Sequence, residues 1–353
     1  MKIAISGGLG FIGLRLAESL VGAGHAVAIL DNLHPQIHGD ERALVRARAF
    51  ADVQIGDVRD PAAWDAVLDG AEAVLHMAAE TGTGQSMDEV VRYADVNVTG
   101  TAALAEALGR RPAVRSVFLP SSRAIYGEGA YACDVHGAVL PERRTRAALE
   151  RGDFALRCPV CRQAARPIAT SEDVMPRPAS VYATTKLAQE LILKQYCEAK
   201  GVDLRVARYQ NVYGPGQALG NPYTGVLVIF AQQIDRGEVL NIYEDGLVAR
   251  DFVHVDDVVR ATTAIMEAPE NPGPVNVGAG KAVSLLGVVA GFAEALGRDV
   301  PYRISGDFRF GDIRHAVADV TKLRALGVEP GVDLEDGIGT VIRWLKETPS
   351  CRA

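Results

Sequence analysis

A serine, a tyrosine and a lysine in the middle of the chain have the types and spacing needed to move a proton. Tyr182 and Lys186 stand four residues apart in a predicted helix over residues 180–200, so their side chains share one face. A lysine ammonium beside a phenol lowers the phenol's pKa, which would make Tyr182 an acid or base near neutral pH. Ser122 follows a predicted strand and brings a hydroxyl to the same region. An ordinary amphipathic helix is the alternative, because this tyrosine–lysine spacing is common.

Two further pairs of residues have the spacing of metal ligands. They are Cys133 with His136, and Cys158 with Cys161. Two intervening residues let both side chains of a pair face one tetrahedral ion, as in a zinc ribbon. The surrounding insertion, about 128–175, is arginine-rich and poor in apolar residues, so a structural zinc ion could replace its missing core. Reduced thiols in a loop and a Cys-x-x-Cys redox pair are the alternatives.

The start of the chain predicts the elements that would place a cofactor beside these groups. An apolar run is followed by three regularly spaced glycines and then by a helical pattern. This order of strand, turn and helix is a dinucleotide-binding motif. Gly7 permits the turn, Gly10 lets a pyrophosphate approach the backbone, and Gly13 lets the helix pack close to the sheet. Phe11 and Ile12 lie in the same turn, and we predict that all five residues contact the cofactor.

The second apolar run ends at Asp31, which favours NAD as that cofactor. A carboxylate at the tip of the second strand can accept both hydroxyls of the adenosine ribose and would repel the 2′-phosphate of NADP. Asn32 follows it and is predicted to contact the cofactor as well. The alternative is that Asp31 only starts a turn with Asn32.

Later strands are predicted to end at the same edge of the sheet, where ligands bind in this type of fold. Asp57 could reach the adenine amino group or, equally well, cap the next helix. Ala78 and Ala79 are small enough for the backbone to pass beside a flat cofactor. Thr81 lies in the polar loop that follows, where substrate could bind, and Ser121 ends the fifth strand.

The composition argues against several classes of protein. The chain has 353 residues, a formal net charge of −7 and a hydrophobic fraction of 48%. The acidic balance argues against nucleic acid and anionic membranes as partners. Because no apolar stretch reaches membrane-spanning length and the first strand begins at once, we expect a cytoplasmic protein without a signal peptide. Its five cysteines should be reduced unless they bind metal.

Strand and helix patterns alternate along the chain and predict an α/β fold of the Rossmann type. Such a fold is a doubly wound parallel sheet covered on both faces. We predict an NAD-binding domain over residues 1–203, which includes the insertion. A smaller, mainly substrate-binding domain is predicted over residues 204–353, with some segments returning to the Rossmann sheet.

Together these motifs resemble the extended short-chain dehydrogenase/reductase family, in its nucleotide-sugar epimerase/dehydratase branch. The resemblance covers nearly the whole chain. It implies that Tyr182 is the acid/base, Lys186 holds the nicotinamide ribose and Ser122 binds the reacting sugar oxygen. The further cofactor contacts that it implies are Val58, Asn97 and Tyr209. The substrate contacts that it implies are Arg123, Asn211, Arg250, Arg309 and Asp312.

The residues directly after Ser122 indicate which reaction this resemblance favours. The 4,6-dehydratases of the family carry Asp-Glu there, and the glucuronate decarboxylases usually carry a Glu at the second position. Here these positions are Arg123 and Ala124. Oxidation at C4 followed by reduction on the opposite face remains, which is NAD-dependent 4-epimerisation of a nucleotide sugar. The run Ser-Ser-Arg-Ala-Ile-Tyr-Gly-Glu-Gly looks most like the dTDP-L-rhamnose 4-epimerase subgroup.

Three other functions stay open at this point. A nucleotide-sugar dehydrogenase or ketoreductase would consume NAD(H), and a 4,6-dehydratase is less favoured because its acids are missing. A redox-sensing binding protein would have a silent active site, against which the intact serine, tyrosine and lysine argue. The expected substrate is a dTDP-, UDP- or GDP-linked sugar. The resemblance alone implies a homodimer through helices at about 87–108 and 180–200.

Overall fold

Strands occur along the whole chain in the computed structural model, which describes residues 1–221, 223 and 225–348. In chain order they are β1 (Lys2–Ser6), β2 (Ala26–Asp31), β3 (Asp52–Ile55), β4 (Ala73–His76), β5 (Ser116–Ser122), β6 (Tyr131–Cys133), β7 (Gly137–Val139), β8 (Arg166–Pro167), β9 (Asp203–Tyr209), β10 (Asn211–Tyr213), β11 (Leu240–Ile242), β12 (Ala249–Arg250), β13 (Phe252–His254), β14 (Val275–Val277), β15 (Val283–Ser284) and β16 (Tyr302–Ile304). Seven of them form one parallel sheet in the order β14-β9-β5-β4-β1-β2-β3. The order reverses between β1 and β4, and ligands bind beside such a switch point.

Helices connect these strands and cover the sheet. They are α1 (Phe11–Gly22), α2 (Arg42–Arg48), α3 (Pro61–Val67), α4 (Val90–Ala94), α5 (Gly100–Gly109), α6 (Arg146–Glu150), α7 (Val181–Lys200), α8 (Val226–Asp235), α9 (Val255–Glu267), α10 (Leu285–Leu296), α11 (Thr321–Ala325) and α12 (Leu334–Glu347). None in the described part of the chain is long and apolar enough to cross a membrane.

The helix that we predicted over residues 87–108 is interrupted. A 3₁₀ turn at Gln85–Met87 precedes α4, and a wider π turn at Asp95–Thr99 joins α4 to α5. A π turn inserts one extra residue, and such turns are frequent beside functional sites. Here it carries Asn97, whose side chain contacts the loop after β4.

Two apolar cores lie on the two faces of the sheet. Ile5 of β1 packs with Leu16 of α1 and Val258 of α9 on one face. Ala4, the preceding residue of the same strand, belongs to the other core with Trp64 of α3. Alternate residues of one buried strand therefore face opposite helical layers, which confirms the predicted doubly wound sheet.

The C-terminal part of the chain has a third core, in which Leu227, Phe292 and Ile338 bring together α8, α10 and α12. Two strands of this part, β9 and β14, lie in the large sheet. The domain boundary at residues 203/204 therefore stays a proposal, with β9 and β14 as segments that return across it. The insertion, residues 128–175, contains a three-stranded antiparallel sheet in the order β7-β6-β8.

Candidate active site

The glycine turn, residues 7–13, is shaped by close backbone contacts between β1 and α1. Gly7 has a φ of +68°, and a Cβ there would lie 2.7 Å from the backbone nitrogen of Ala78. A Cβ on Gly13 would collide with the carbonyl of Gly7, so this glycine lets α1 approach the turn itself. Gly10 precedes α1 and provides no side-chain cap for it. The N–H groups of the first helical turn can therefore bind an anion such as a pyrophosphate.

Asp31 lies beside this turn at the end of β2. Its Oδ2 accepts the Leu9 N–H at 3.0 Å, and its Oδ1 accepts the Leu33 N–H at 2.9 Å. His38 Nε2 is 3.2 Å from Oδ1. The carboxylate thus holds the glycine turn against the tip of the second strand, where a ribose would pass.

Asp57, which we predicted to reach the adenine or to cap a helix, lies among neighbouring predicted cofactor residues. Asp57 is paired with Arg59 through bonds of 2.8 Å, and this guanidinium lowers the pKa of the carboxyl. Asn32 also interacts with Asp57. Val58 is buried, and its carbonyl accepts the indole N–H of Trp64 at 2.6 Å. These residues lie together at the ends of β2 and β3.

The segment after β4 runs directly over the glycine turn. It contains Ala78 and Ala79, which leave the backbone accessible. The Asn97 amide bonds the backbone N–H and carbonyl of Glu80 at 2.7 and 3.1 Å and the Thr185 hydroxyl at 2.9 Å. Its role in this structure is to hold the loop after β4 against α7, and a contact with the cofactor stays a prediction.

Ser122 and Tyr182 come together at the carboxyl edge of the sheet. The Ser122 hydroxyl lies close enough to the phenol of Tyr182 to influence its pKa. Burial raises the pKa of Tyr182, while the neighbouring Ser122 hydroxyl and the Arg123 cation oppose that rise. These two neighbours favour the phenolate, which is the form that accepts a proton.

Lys186 lies one helical turn further along α7 and is buried. Its Nζ donates to Gln189 Oε1 at 2.5 Å, and burial lowers the pKa of this lysine to about 7. Burial raises the pKa of Tyr182, and the cation that opposes the rise is Arg123. A lowering of this pKa by Lys186 stays a prediction. The sequence reasoning missed Gln189, which a helical wheel would place beside Lys186.

His76 lies in the same buried layer, where burial lowers its pKa to about 3 and keeps it neutral.

Ser121 has an unsatisfied hydroxyl to which a bound cofactor could supply a hydrogen-bond partner. Its Oγ is buried and has no hydrogen-bond partner among the described residues. With the glycine turn and Asp31, this orphaned group fits a dinucleotide lying across the edge of the sheet. Tyr209 is different, because its hydroxyl bonds Thr262 at 2.6 Å in the core beneath α9. Its side chain faces that core, and a cofactor contact by Tyr209 stays a prediction.

Four predicted substrate residues meet next to Ser122. Arg123 Nε donates to Asn211 Oδ1 at 3.0 Å, and Arg250 Nη2 donates to Asp312 Oδ1 at 2.8 Å. Burial, and then the neighbouring Arg250, lower the pKa of Arg123 to about 10. Two guanidinium groups so close together suit an anionic diphosphate, whose oxygens pair with the arginine fork.

Two other predicted substrate residues lie apart from this group. Arg309 is exposed and its guanidinium lies 5.4 Å from the centre of the Tyr243 ring. Thr81 is exposed, and its carbonyl accepts the Tyr93 hydroxyl at 2.5 Å. Their contact with substrate stays a prediction.

The four predicted metal ligands form one cluster in the insertion. Their ligand atoms lie within 4.8 Å of one another. Cys133 Sγ is 3.6 Å from both His136 Nδ1 and Cys161 Sγ, and Cys158 Sγ is 3.6 Å from His136 Nδ1. Tetrahedral zinc with these ligands would separate them by about 3.5–3.8 Å. The donor set therefore fits a zinc ion. The fifth cysteine, Cys351, lies outside the described residues.

A buried charged rim connects the insertion to the C-terminal part. Its buried members are Glu128, Arg144, Glu244, Arg250 and Arg314, and the more exposed Asp312 pairs with Arg250. Sequence reasoning identified Arg250 and Asp312 through the family resemblance. Arg144 and Glu244 were missed, and no local pattern marks them. Glu128 lies in the run that begins at Ser121, but no role was predicted for it.

The comparisons with known proteins agree with this geometry. The model of the NAD dependent epimerase/dehydratase family matches residues 3–144 and 160–278. The chain belongs to this family. The unmatched stretch between the two segments, residues 145–159, falls in the insertion.

One relative and two solved structures span essentially the whole chain. The dTDP-L-rhamnose 4-epimerase of Burkholderia thailandensis is 41% identical over 353 residues, covering 98% of this chain and 95% of its own. The UDP-glucose 4-epimerase of Thermotoga maritima, solved with UDP-glucose, is 28% identical with a TM-score of 0.79 and covers 98% and 99% of the two chains. The UDP-glucose 4-epimerase of Thermus thermophilus, in complex with NAD, is also 28% identical, with a TM-score of 0.76 and 98% of each chain covered.

Proposed function

We propose that this protein is an NAD-dependent 4-epimerase of a dTDP-linked sugar. The observation that carries the proposal is the contact between Ser122 and Tyr182, with Arg123 and Ala124 where an eliminating or decarboxylating enzyme of the family would have acids. The site can thus exchange a proton with a sugar hydroxyl, and it has no acid at these two positions for either of the other reactions.

The residues of the site have distinct parts in this reaction. When bound, NAD supplies the two-electron oxidant that takes the C4 hydrogen and returns it to the other face. Tyr182 accepts the proton of the 4-hydroxyl and later gives it back, and Ser122 hydrogen-bonds the same oxygen. Arg123 stabilises the phenolate of Tyr182 through its positive charge. Lys186, buried beneath the edge, would hold the nicotinamide ribose.

The charges around Arg250 hold the other end of the substrate. Arg123 with Asn211, and Arg250 with Asp312, present donors to a diphosphate while the sugar reaches Tyr182. A diphosphate bound at a fixed point lets the 4-keto sugar rotate and present its other face to the cofactor. The preference for dTDP is supported by the 41% identity to a dTDP-L-rhamnose 4-epimerase.

A proton NMR time course without added cofactor tests this function. The purified protein is mixed in turn with dTDP-, UDP- and GDP-sugars, and Tyr182→Phe is the matched control. We expect new anomeric signals that reach the same ratio from either 4-epimer of a dTDP-sugar. Turnover that instead matches added NAD or NADH mole for mole would identify a dehydrogenase or ketoreductase.

We further propose that the Cys133, His136, Cys158 and Cys161 cluster binds a structural zinc ion. Four protein ligands leave no open position for catalysis, and the metal would stabilise an insertion with a small apolar core. Metal analysis of the purified protein should find one zinc per chain, and Cys158→Ser should lose it. Cys197→Ser, in the core beneath α7, should keep it. A Cys158→Ser protein with stoichiometric zinc would disprove this site.

A homodimer through α4 and α7 is also proposed. Met87, Val90, Val91 and Leu191 are large apolar residues exposed on these adjacent segments, and Val91 is 80% exposed. Burial of such a patch in an interface removes it from water. Sedimentation velocity should find a dimer for the native protein and a monomer for Val91→Glu. Val45→Glu, at a valine of α2 that is 66% exposed, should stay dimeric.

A further inference from the structure

The segment after Asp312 is held between the insertion and the strand that carries Arg250. On one side, Ala249 of β12 donates to the Arg314 carbonyl at 3.0 Å and accepts from Ala316 at 3.1 Å. On the other side, Thr170 of the insertion donates to the Val317 carbonyl at 2.9 Å. The insertion therefore forms the outer support of this segment.

Arg144, a residue of the insertion, makes buried polar contacts with Glu244 and with the start of this segment. Its Nη1 donates to both carboxylate oxygens of Glu244, at 2.8 and 2.7 Å, and its Nη2 donates to the Asp312 carbonyl at 2.8 Å. The side chains of Arg144 and Glu244 are each 3% exposed. A second cation, Arg314, bonds Glu244 Oε2 at 2.8 Å. Because these charges are buried, their geometry is strongly restrained.

A second residue of the insertion contacts the same segment. Glu128 Oε2 accepts the backbone N–H of Arg314 at 2.8 Å, and its Oε1 lies 3.6 Å from Arg144 Nε. The Phe154 ring lies 5.7 Å from the Arg314 guanidinium. The insertion thus holds both the backbone and the side chain of Arg314.

Two hydrogen bonds of Arg250 connect these contacts to the proposed diphosphate site. Its Nη2 donates to the carboxylate of Asp312, the residue whose carbonyl Arg144 holds. Its Nη1 lies 3.3 Å from the carbonyl of Arg314. Any shift of the 312–314 backbone would therefore turn the Arg250 guanidinium.

We infer that Arg144 is a positioning residue for nucleotide-sugar binding, acting through Asp312 and Arg250. The inference rests on the proposed function, since it assumes that Arg250 contacts the diphosphate. If this is so, the insertion contributes to substrate affinity. The same insertion carries the metal ligands and supplies the side chain that orients the diphosphate site. The glycine turn, where NAD is proposed to bind, takes no part in the contacts described above.

Calorimetric titration of the NAD-containing protein with dTDP tests this inference. Arg144→Met should weaken dTDP binding roughly tenfold or more, a typical size for coupling through an intermediate element. KM for the dTDP-sugar should rise in parallel, while kcat and bound NAD stay near their native values. Arg144→Lys should recover part of the affinity, because a lysine keeps the charge but not the fork. The matched control is Arg157→Met, in the same insertion, whose pair with Asp153 lies at the surface.

A double variant separates positioning from loss of stability. Arg144→Met leaves Glu244 with Arg314 as its remaining cation, in a buried group that has lost one positive charge. Adding Glu244→Gln removes the excess negative charge, so the double variant should recover part of the lost melting temperature without recovering dTDP affinity. If the double variant recovers both, or if Arg144→Met binds dTDP as tightly as Arg157→Met, the inference is wrong. Failure of the native protein to bind dTDP, UDP or GDP would instead overturn the proposed function.

Discussion

The glycine turn and the charged rim hold the two ends of one proposed reaction and are built in opposite ways. The turn uses seven consecutive residues, and its shape depends on backbone positions where a Cβ would collide. The rim uses side chains drawn from widely separated segments; Arg144 and Glu244 are 100 residues apart. A region built from local backbone is visible as a motif, whereas a region built from distant charges is not.

This difference also predicts how each region fails. Gly7 and Gly13 have no room for a Cβ, so a single methyl group at either position should disrupt the turn. The rim depends on charge balance, so the stability lost when one of its residues is replaced should depend on which charged partner is left unpaired. The residues between the two regions, Ser122 and Tyr182, should affect the reaction and leave both binding sites intact.

The largest effect is expected from Tyr182→Phe, because this change should impair catalysis while both regions still bind their ligands. Because the proton acceptor is lost, kcat for 4-epimerisation should fall by about 10²- to 10⁴-fold. NAD content and dTDP affinity should stay native, as measured by absorbance and calorimetry. Tyr196→Phe, on the same helix, is the control. A kcat within threefold of the native value would exclude Tyr182 as the acid/base.

A smaller effect, confined to the glycine turn, is expected from Gly7→Ala. Both Gly7 and Gly24 have positive φ, +68° and +86°, but a Cβ on Gly24 meets no atom of the described residues within 4 Å. The two alanine variants share the backbone strain, so their difference measures the collision with Ala78. We expect Gly7→Ala to lose about 1–3 kcal/mol more in free energy of unfolding than Gly24→Ala. It should also lose NAD. Equal stability and NAD content in both variants would contradict the close approach seen here.

The last effect is a gradual pH dependence that arises between the two regions, at Lys186. Its pKa is about 7 in the folded protein and 10.5 in its ordinary environment, so the unfolded chain binds more protons between these values. The free energy of unfolding of the NAD-free protein should therefore rise with pH from 7 to 10, by at most about 1.4 kcal/mol per unit from this group. Urea unfolding of Lys186→Met should lack that increment. Lys194→Met, exposed on the same helix, should retain it, and parallel curves for the two variants would contradict the burial argument.

Much of the sheet was predictable because its strands are short apolar runs that are buried on both faces. The glycine turn and the position of Asp31 followed from the order of strand, turn and helix. The interruption at Asp95–Thr99 was not predictable, because the apolar pattern continues through a π turn. The side-chain direction of Tyr209 was also not predictable, since the end of a strand has two faces and only packing against Thr262 selects one.

Local spacing identified the tyrosine, the lysine, the serine and the four clustered metal ligands, since each pair lies within a few residues or at the end of a recognisable strand. Only the tertiary structure brought the Arg123 cation close enough to Tyr182 to favour its phenolate. It alone placed Arg144 against Glu244 and Asp312. The physical reason is that burial and charge pairing depend on distance in space, and residues far apart in the chain give no sign of their partners until the chain is folded.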